Sequence, residues 1–299
     1  MEKNEPSAAV LAKMGSTIQL NVSQSGGTTA WKMMTESEFD PALAQRWMAD
    51  NWHRSFYLAG AYLLFLYAGR RHLQNRAPFQ LNTPLIIWNA LLTAFSVLGT
   101  YHTLPEFIGH LKKYGYFDSY CVAGDYYTRK PLAFWVWAFH FSKAPELIDT
   151  VFLILRKKPV SFLHFYHHST VLLWCWFCYP YWSSPPRWGV AMNYAVHSLM
   201  YAYYTIRAMR WRLPAVVAPL ITSLQLAQFL VCVPLNAVAL YKTYHNMNRY
   251  EAESKTGCDT TLILALLQQF LYNTYFLLFA RFFYKAYIVK REKGSLKEE

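Results

Sequence analysis

His164-Phe165-Tyr166-His167-His168 places three imidazoles in five residues, inside an otherwise apolar run from Val160 to Trp182. At helical spacing His164 and His168 stand one turn apart with His167 beside them, so one helix can present up to three imidazoles to a common cavity. A single histidine in such a run reads as a satisfied core residue. Three together, at hydrocarbon depth, are costly enough that a functional site is the default reading.

The neighbouring apolar runs carry polar stripes of their own. Lys143, Glu146 and Asp149 recur every three residues, a cation and two carboxylates on one drifting face, and Pro145 loosens the same turn by removing a backbone donor. These charges can neutralise one another, so a structural ion-pair network is the competing reading. Asn193, His197, Tyr201 and Tyr204 share one face of a later run, and Thr222, Gln225 and Gln228 share a face of the next. Gln and Tyr in such places also serve as interhelical glue.

The elements that must position these groups follow from composition. The chain has 299 residues, 54% of them hydrophobic and 18% aromatic. Its apolar residues come in long runs rather than amphipathic stripes, the pattern of an all-α polytopic membrane protein. At about 20 residues per crossing the runs give about seven transmembrane helices, near 55–69, 84–102, 131–155, 160–182, 187–206, 213–241 and 260–284. Basic clusters at Arg70/Arg71/Arg76, Arg156/Lys157/Lys158, Arg207/Arg210/Arg212 and Lys285/Lys290/Arg291/Lys293 follow alternate runs and share one face. The positive-inside rule makes that face cytosolic and puts the N-terminus on the other side. Lys112, Lys113, Arg129 and Lys130 oppose the rule. The formal charge of +12 lies mostly in these short clusters, which suits phosphate-bearing ligands at a membrane surface, and no motif reads a nucleic-acid groove.

Residues 1–45 mix Ser, Gly, Thr and Ala without a sustained period and read as a disordered tail carrying no signal peptide. Residues 46–291 form the membrane domain, and 292–299 a cytosolic tail. Asn21-Val22-Ser23 is a glycosylation sequon. Trp47, Met48 and Trp52 suggest a short interfacial helix around Pro41 to Arg54.

Four runs that each turn a polar stripe inward require a closed bundle with a polar interior. A channel should show rings of like charge and a secondary transporter an internal repeat; neither is found. A dinuclear iron site, as in a membrane oxygenase or desaturase, needs several histidine clusters, and this chain has one. A metal is therefore not expected. A non-enzymatic lipid transporter stays open as an alternative.

Lys143-Ala144-Pro145-Glu146-Leu147-Ile148-Asp149-Thr150, the His164–His168 box, Asn193 through Tyr204, and Thr222-Ser223-Leu224-Gln225-Leu226-Ala227-Gln228 resemble, in the family's order, the signature blocks of the ELO family of very-long-chain fatty acid elongases. The resemblance covers about residues 42 to 291. Leu-Arg-Lys-Lys after the third run is most similar to the branch acting on saturated and monounsaturated chains near palmitate length.

That resemblance implies a 3-oxoacyl-CoA synthase of the endoplasmic reticulum membrane, with six helices closing around a polar-centred acyl tunnel. Its substrates would be acyl-CoA and malonyl-CoA, with no cofactor. His167 would carry the acyl group as an acyl-imidazole, and His197 would act as acid/base. His164, His168, Glu146 and Asp149 would orient the imidazoles. Cys175, Cys178 and Cys232 lie in apolar runs without a paired base, which favours imidazole over thiol as nucleophile. Lys143, Asn193, Gln225 and Gln228, with Tyr201 and Tyr204, are the supporting polar groups. Arg156, Lys157, Lys158, Arg207 and Arg281 could collar the CoA phosphates, though topology signalling alone explains such clusters. Partners implied are the bilayer, the reductases and dehydratase of the elongation cycle, and a second copy of the chain. The C-terminal Lys297 lacks the second lysine of a full dilysine signal. Cys121 and Cys258 fall in two loops on the same non-cytosolic side and are expected to pair. Trp174, Phe177 and Leu235 are candidates for the closed end of an acyl tunnel.

Overall fold

The computed structural model describes residues 38–247 and 257–289; Asn21 and the C-terminal tail lie outside them. Among the described residues there is no strand. The described residues form nine α-helices: α1 Pro41–Asn51, α2 Arg54–Leu73, α3 Asn82–Asp118, α4 Leu132–Ser142, α5 Ile148–Leu155, α6 Phe162–Cys178, α7 Pro186–Ala208, α8 Val217–Met247 and α9 Leu262–Phe283. A π-helical turn, Tyr284–Val289, prolongs α9.

Local chemistry sets these boundaries. Ser161 caps α6 by accepting from the His164 amide at 3.2 Å, so the helix starts immediately before the imidazole box. Pro145 splits the third apolar run: between α4 and α5 the chain makes a 3-10 turn, Pro145–Leu147. Thr261 caps α9 on the Leu264 amide at 3.3 Å.

The helices close a ring. α3 packs on α7, α7 on α8, α8 on α9, α9 on α6, α6 on α4, and α4 back on α3. α2 lies outside that ring against α5 and α6. The seven expected runs thus correspond to α2, α3, α4 with α5, α6, α7, α8 and α9. By length and composition α3, α8 and α9 with its π turn are long and apolar enough to cross a membrane; the polar stripes lie on α4 with α5, α6, α7 and α8. The outer faces are greasy, with Tyr57, Leu64, Leu91, Leu230, Phe270 and Leu277 all exposed. The chain is a polytopic membrane protein.

Two expectations need correction. The tail was expected to extend to residue 45, yet Phe39, Ala44 and Met48 are fully buried in an aromatic cluster with Trp137, Trp176 and Tyr179. Asp40 caps α1 on the Ala42 and Leu43 amides, so the helix expected around Pro41 to Arg54 forms over Pro41–Asn51 and takes the last residues assigned to the tail into the fold. The second span was expected to end near residue 102, but α3 runs on, broken by a kink at Gly115, to Asp118, so Lys112 and Lys113 are helical. That extension carries two polar residues, Glu106 and His110. Both are paired with buried Arg187, which meets Glu106 at 3.2 Å and His110 at 3.0 Å and donates to the Val122 and Ala123 carbonyls.

Each end of the bundle is tied. At one end Arg70 donates to the Val160 carbonyl (2.9 Å), Lys157 to the Gln74 carbonyl (2.9 Å) and the Phe79 amide to the Leu155 carbonyl (3.0 Å). At the other, Cys121 and Cys258 are joined by a disulfide with Cα atoms 4.1 Å apart. There the Asp259 amide donates to the Cys121 carbonyl, and the Ser184 amide to the Asp259 carbonyl, both at 2.8 Å.

Candidate active site

The ring encloses a cavity of about 80 Å³, lined from α4, α6, α7, α8 and α9. Its polar side chains are His140 from α4, Lys143 at the C-cap of α4, His167 from α6, Asn193 and His197 from α7, and Gln228 from α8. Toward the disulfide end the lining turns apolar and aromatic, with Trp174, Pro186, Val190, Leu271 and Tyr272.

The three box imidazoles have separate surroundings. Thr150 Oγ1 lies 2.8 Å from His164 Nε2 and 2.9 Å from the Tyr62 hydroxyl, so His164 is fixed to α5. His168 packs on His164, ring centroids 4.3 Å apart, and meets His167 edge-on at 5.7 Å. His167 is the box residue on the cavity, against the Tyr275 ring at 5.0 Å. One helix therefore presents a single imidazole to the cavity, with the other two behind it.

Opposite, Asn193 Nδ2 donates to His197 Nε2 at 3.2 Å, which fixes a His197 tautomer with its proton on Nδ1. Gln228 shares the cavity, whereas Gln225 turns to Met200 Sδ at 3.2 Å. Tyr201 is buried and donates to Asp149 at 2.9 Å; Trp88 Nε1 donates to the other Asp149 oxygen at 2.6 Å. Glu146 accepts from Lys143 Nζ and from Ser142 Oγ, both at 2.7 Å. Both buried carboxylates are thus hydrogen-bonded, the condition under which a buried anion is tolerable. Among the described residues no three His, Cys, Asp or Glu side chains converge into a metal-holding group.

Several candidates fall outside the cavity. Tyr204 is partly exposed, beside the Tyr201 ring at 6.5 Å, and does not line the cavity. Phe177 packs on Trp52 at 5.2 Å, and Leu235 belongs to a cluster with Tyr120, Trp188 and Ala239. Trp174 does line the cavity. The basic residues sit at the end opposite the disulfide: Arg156 donates to Asn82 at 3.2 Å, while Lys157, Lys158, Arg207 and Arg281 are exposed.

His140, Cys175 and Cys232 were not singled out from the sequence as cavity residues, yet all three line it. His140 Nδ1 bonds the Val136 carbonyl at 2.7 Å, the internal satisfaction expected of an isolated core histidine, and the residue also lines the cavity. Its spacing of three from Lys143, continuing the Lys143/Glu146/Asp149 repeat, was the available signal.

Residues 47–295 match the ELO: GNS1/SUR4 family. The chain is 44% identical over 255 residues to very long chain fatty acid elongase 6 of Drosophila melanogaster, covering 85% of this chain and 78% of that protein. It is 36% identical over 260 residues to long chain fatty acid elongase 1 of Caenorhabditis elegans, covering 87% of each. Over 263 residues it is 36% identical to the human very long chain fatty acid elongase 6, covering 88% of this chain and 95% of the relative. With the match spanning the whole helical ring and every residue of the cavity, the chain belongs to the ELO family.

Proposed function

We propose that this fatty acid elongation enzyme is a 3-oxoacyl-CoA synthase that condenses a long-chain acyl-CoA with malonyl-CoA through an acyl-imidazole on His167. The observation that carries the reading is that His167, alone of the box, lines a cavity shared with Lys143, Asn193, His197 and Gln228. In the first half reaction the neutral imidazole attacks the thioester carbonyl, and CoA leaves as the thiol with the imidazole proton. A buried, water-poor site protects the acyl-imidazole from hydrolysis. In the second, the malonyl carboxylate departs as CO2, and the resulting enolate attacks the acyl carbonyl. His167 regains a proton through His197 as the product leaves. Asn193, Gln228 and Lys143 are donors suited to enolate charge, and the reaction as drawn uses no metal or cofactor.

The apolar half of the cavity suits an acyl chain, and the basic end of the bundle suits the CoA phosphates. In this reading that end is cytosolic and the disulfide end luminal, in the endoplasmic reticulum membrane. The Leu-Arg-Lys-Lys run at residues 155–158 supports the branch acting on saturated and monounsaturated chains near palmitate length. The product would pass to the reductases and dehydratase of an elongation cycle, and lipid-facing aromatic surfaces would let two copies associate.

Purified protein given malonyl-CoA and a ladder of acyl-CoAs should release CO2 in step with 3-oxoacyl-CoA. Acyl-CoA turnover that needs no malonyl-CoA, requires iron and dioxygen and vanishes on chelation would support the oxygenase alternative instead. No CO2 at any chain length would favour a transporter.

A further inference from the structure

Gly189 is the glycine on the cavity wall, and Tyr272 stands opposite it on α9. A Cβ built on Gly189 would lie 2.9 Å from the Tyr272 hydroxyl, closer than such atoms approach without one of them moving. The missing side chain is what lets the phenol lie against α7. Behind it the ring packs on Phe229, centroids 6.1 Å apart, and on the buried cluster of Tyr120, Trp188 and Cys232. With helix on one side, packed rings on another and the Gln268 side chain hydrogen-bonded to the hydroxyl, the direction left to that phenol is the cavity it lines.

The depth of this contact relates it to the chemistry. Gly189 precedes His197 by eight residues on α7, about 12 Å along the helix. Tyr272 lies one turn before Tyr275, the residue against the His167 ring. Both place the contact on the disulfide side of the imidazoles, where the lining has become apolar.

We propose that the Gly189–Tyr272 contact is a constriction past which a long acyl chain must thread, so that its width sets how well long chains are accepted relative to short ones. The inference rests on the reading of the cavity as an acyl tunnel. A chain ending short of the contact does not meet it, whereas a longer chain has to slide past the phenol or displace it. Gly189→Ala keeps a helix-compatible residue, indeed a better helix former than glycine, while its methyl group pushes the phenol into the tunnel. Tyr272→Phe removes the one atom that the new methyl group meets, so the double variant relieves the clash.

The test uses the full-length protein in lipid nanodiscs with malonyl-CoA and saturated acyl-CoAs of increasing length, wild type beside G189A, Y272F and G189A/Y272F. The readout is the ratio of CO2 release on long chains to that on short chains. G189A should lower the ratio roughly tenfold or more, as expected for overpacking a tight wall, and G189A/Y272F should return it toward the wild-type value. Equal loss at every chain length in G189A, or a double variant no better than G189A, would overturn the constriction while leaving the elongation reading intact. A wild type that releases no CO2 at any length would overturn both.

Discussion

Thr150 Oγ1 stands between two helices, 2.9 Å from the Tyr62 hydroxyl of α2 and 2.8 Å from His164 Nε2 of α6. Through this hydroxyl the Lys143–Thr150 segment holds the first imidazole of the box, and His164 in turn supports His168 and His167. Thr150→Val keeps the shape and removes the link. Turnover should fall about tenfold or more, as for loss of a group that orients an active imidazole, with a stability cost of about 1 kcal/mol. Thr150→Ser should restore turnover. Equal activity in the valine and serine variants would mean that the hydroxyl orients nothing.

The Lys143–Glu146 pair is buried, with side chains 3% and 6% exposed. Removing one partner strands the other charge, at a cost of about 3–5 kcal/mol. Lys143→Met should therefore markedly lower the thermal transition followed by fluorescence-detected size exclusion. Lys143→Met with Glu146→Gln should recover much of that loss. Because Lys143 also lines the cavity, turnover should stay low in the stabilised double variant; recovery of turnover along with stability would assign Lys143 a purely structural role.

The disulfide closes a sequence separation of 137 residues and anchors two connections at one end of the ring. Cys121→Ser should lose about 2–5 kcal/mol of stability. Without reductant, the wild type should resist thiol alkylation at Cys121 and Cys258. Labelling of both in the unreduced protein would contradict the link.

Arg207 and Arg281 stand in the last turns of α7 and α9, at the end opposite the disulfide. If they meet the CoA phosphates, Arg207→Ala and Arg281→Ala should raise KM for acyl-CoA several-fold with little change in kcat, the mark of lost ground-state binding. The effect should shrink with added salt. An unchanged KM would leave these residues as topology signals alone.

Much of the architecture was legible because membrane passes announce themselves as apolar runs, and their inward faces announce themselves as polar residues that hydrocarbon would not tolerate. The box, Lys143, Asn193, His197 and Gln228 were found this way, and the cavity unites five of those side chains. Which way a bulky apolar residue faces was not legible. Trp174 and Phe177 are three residues apart on α6, yet one lines the cavity and the other packs on Trp52, because helix rotation is set by neighbours distant in sequence. His140 looked like an ordinary core histidine and is bonded like one through Nδ1; only closure of the ring brings it to the cavity. The far end of α3 was hidden for the opposite reason, since Glu106 and His110 are polar but are matched by Arg187, eighty residues away.

The central claim is tested by incubating the protein with acyl-CoA while malonyl-CoA is withheld, then mapping the trapped acyl group by mass spectrometry. Cys175 and Cys232 share the cavity with His167, so the measurement separates two nucleophiles in one space. The account predicts an acyl group on His167, discharged on adding malonyl-CoA and absent in His167→Ala. An acyl group on Cys175 or Cys232, or full turnover in His167→Ala, would contradict it.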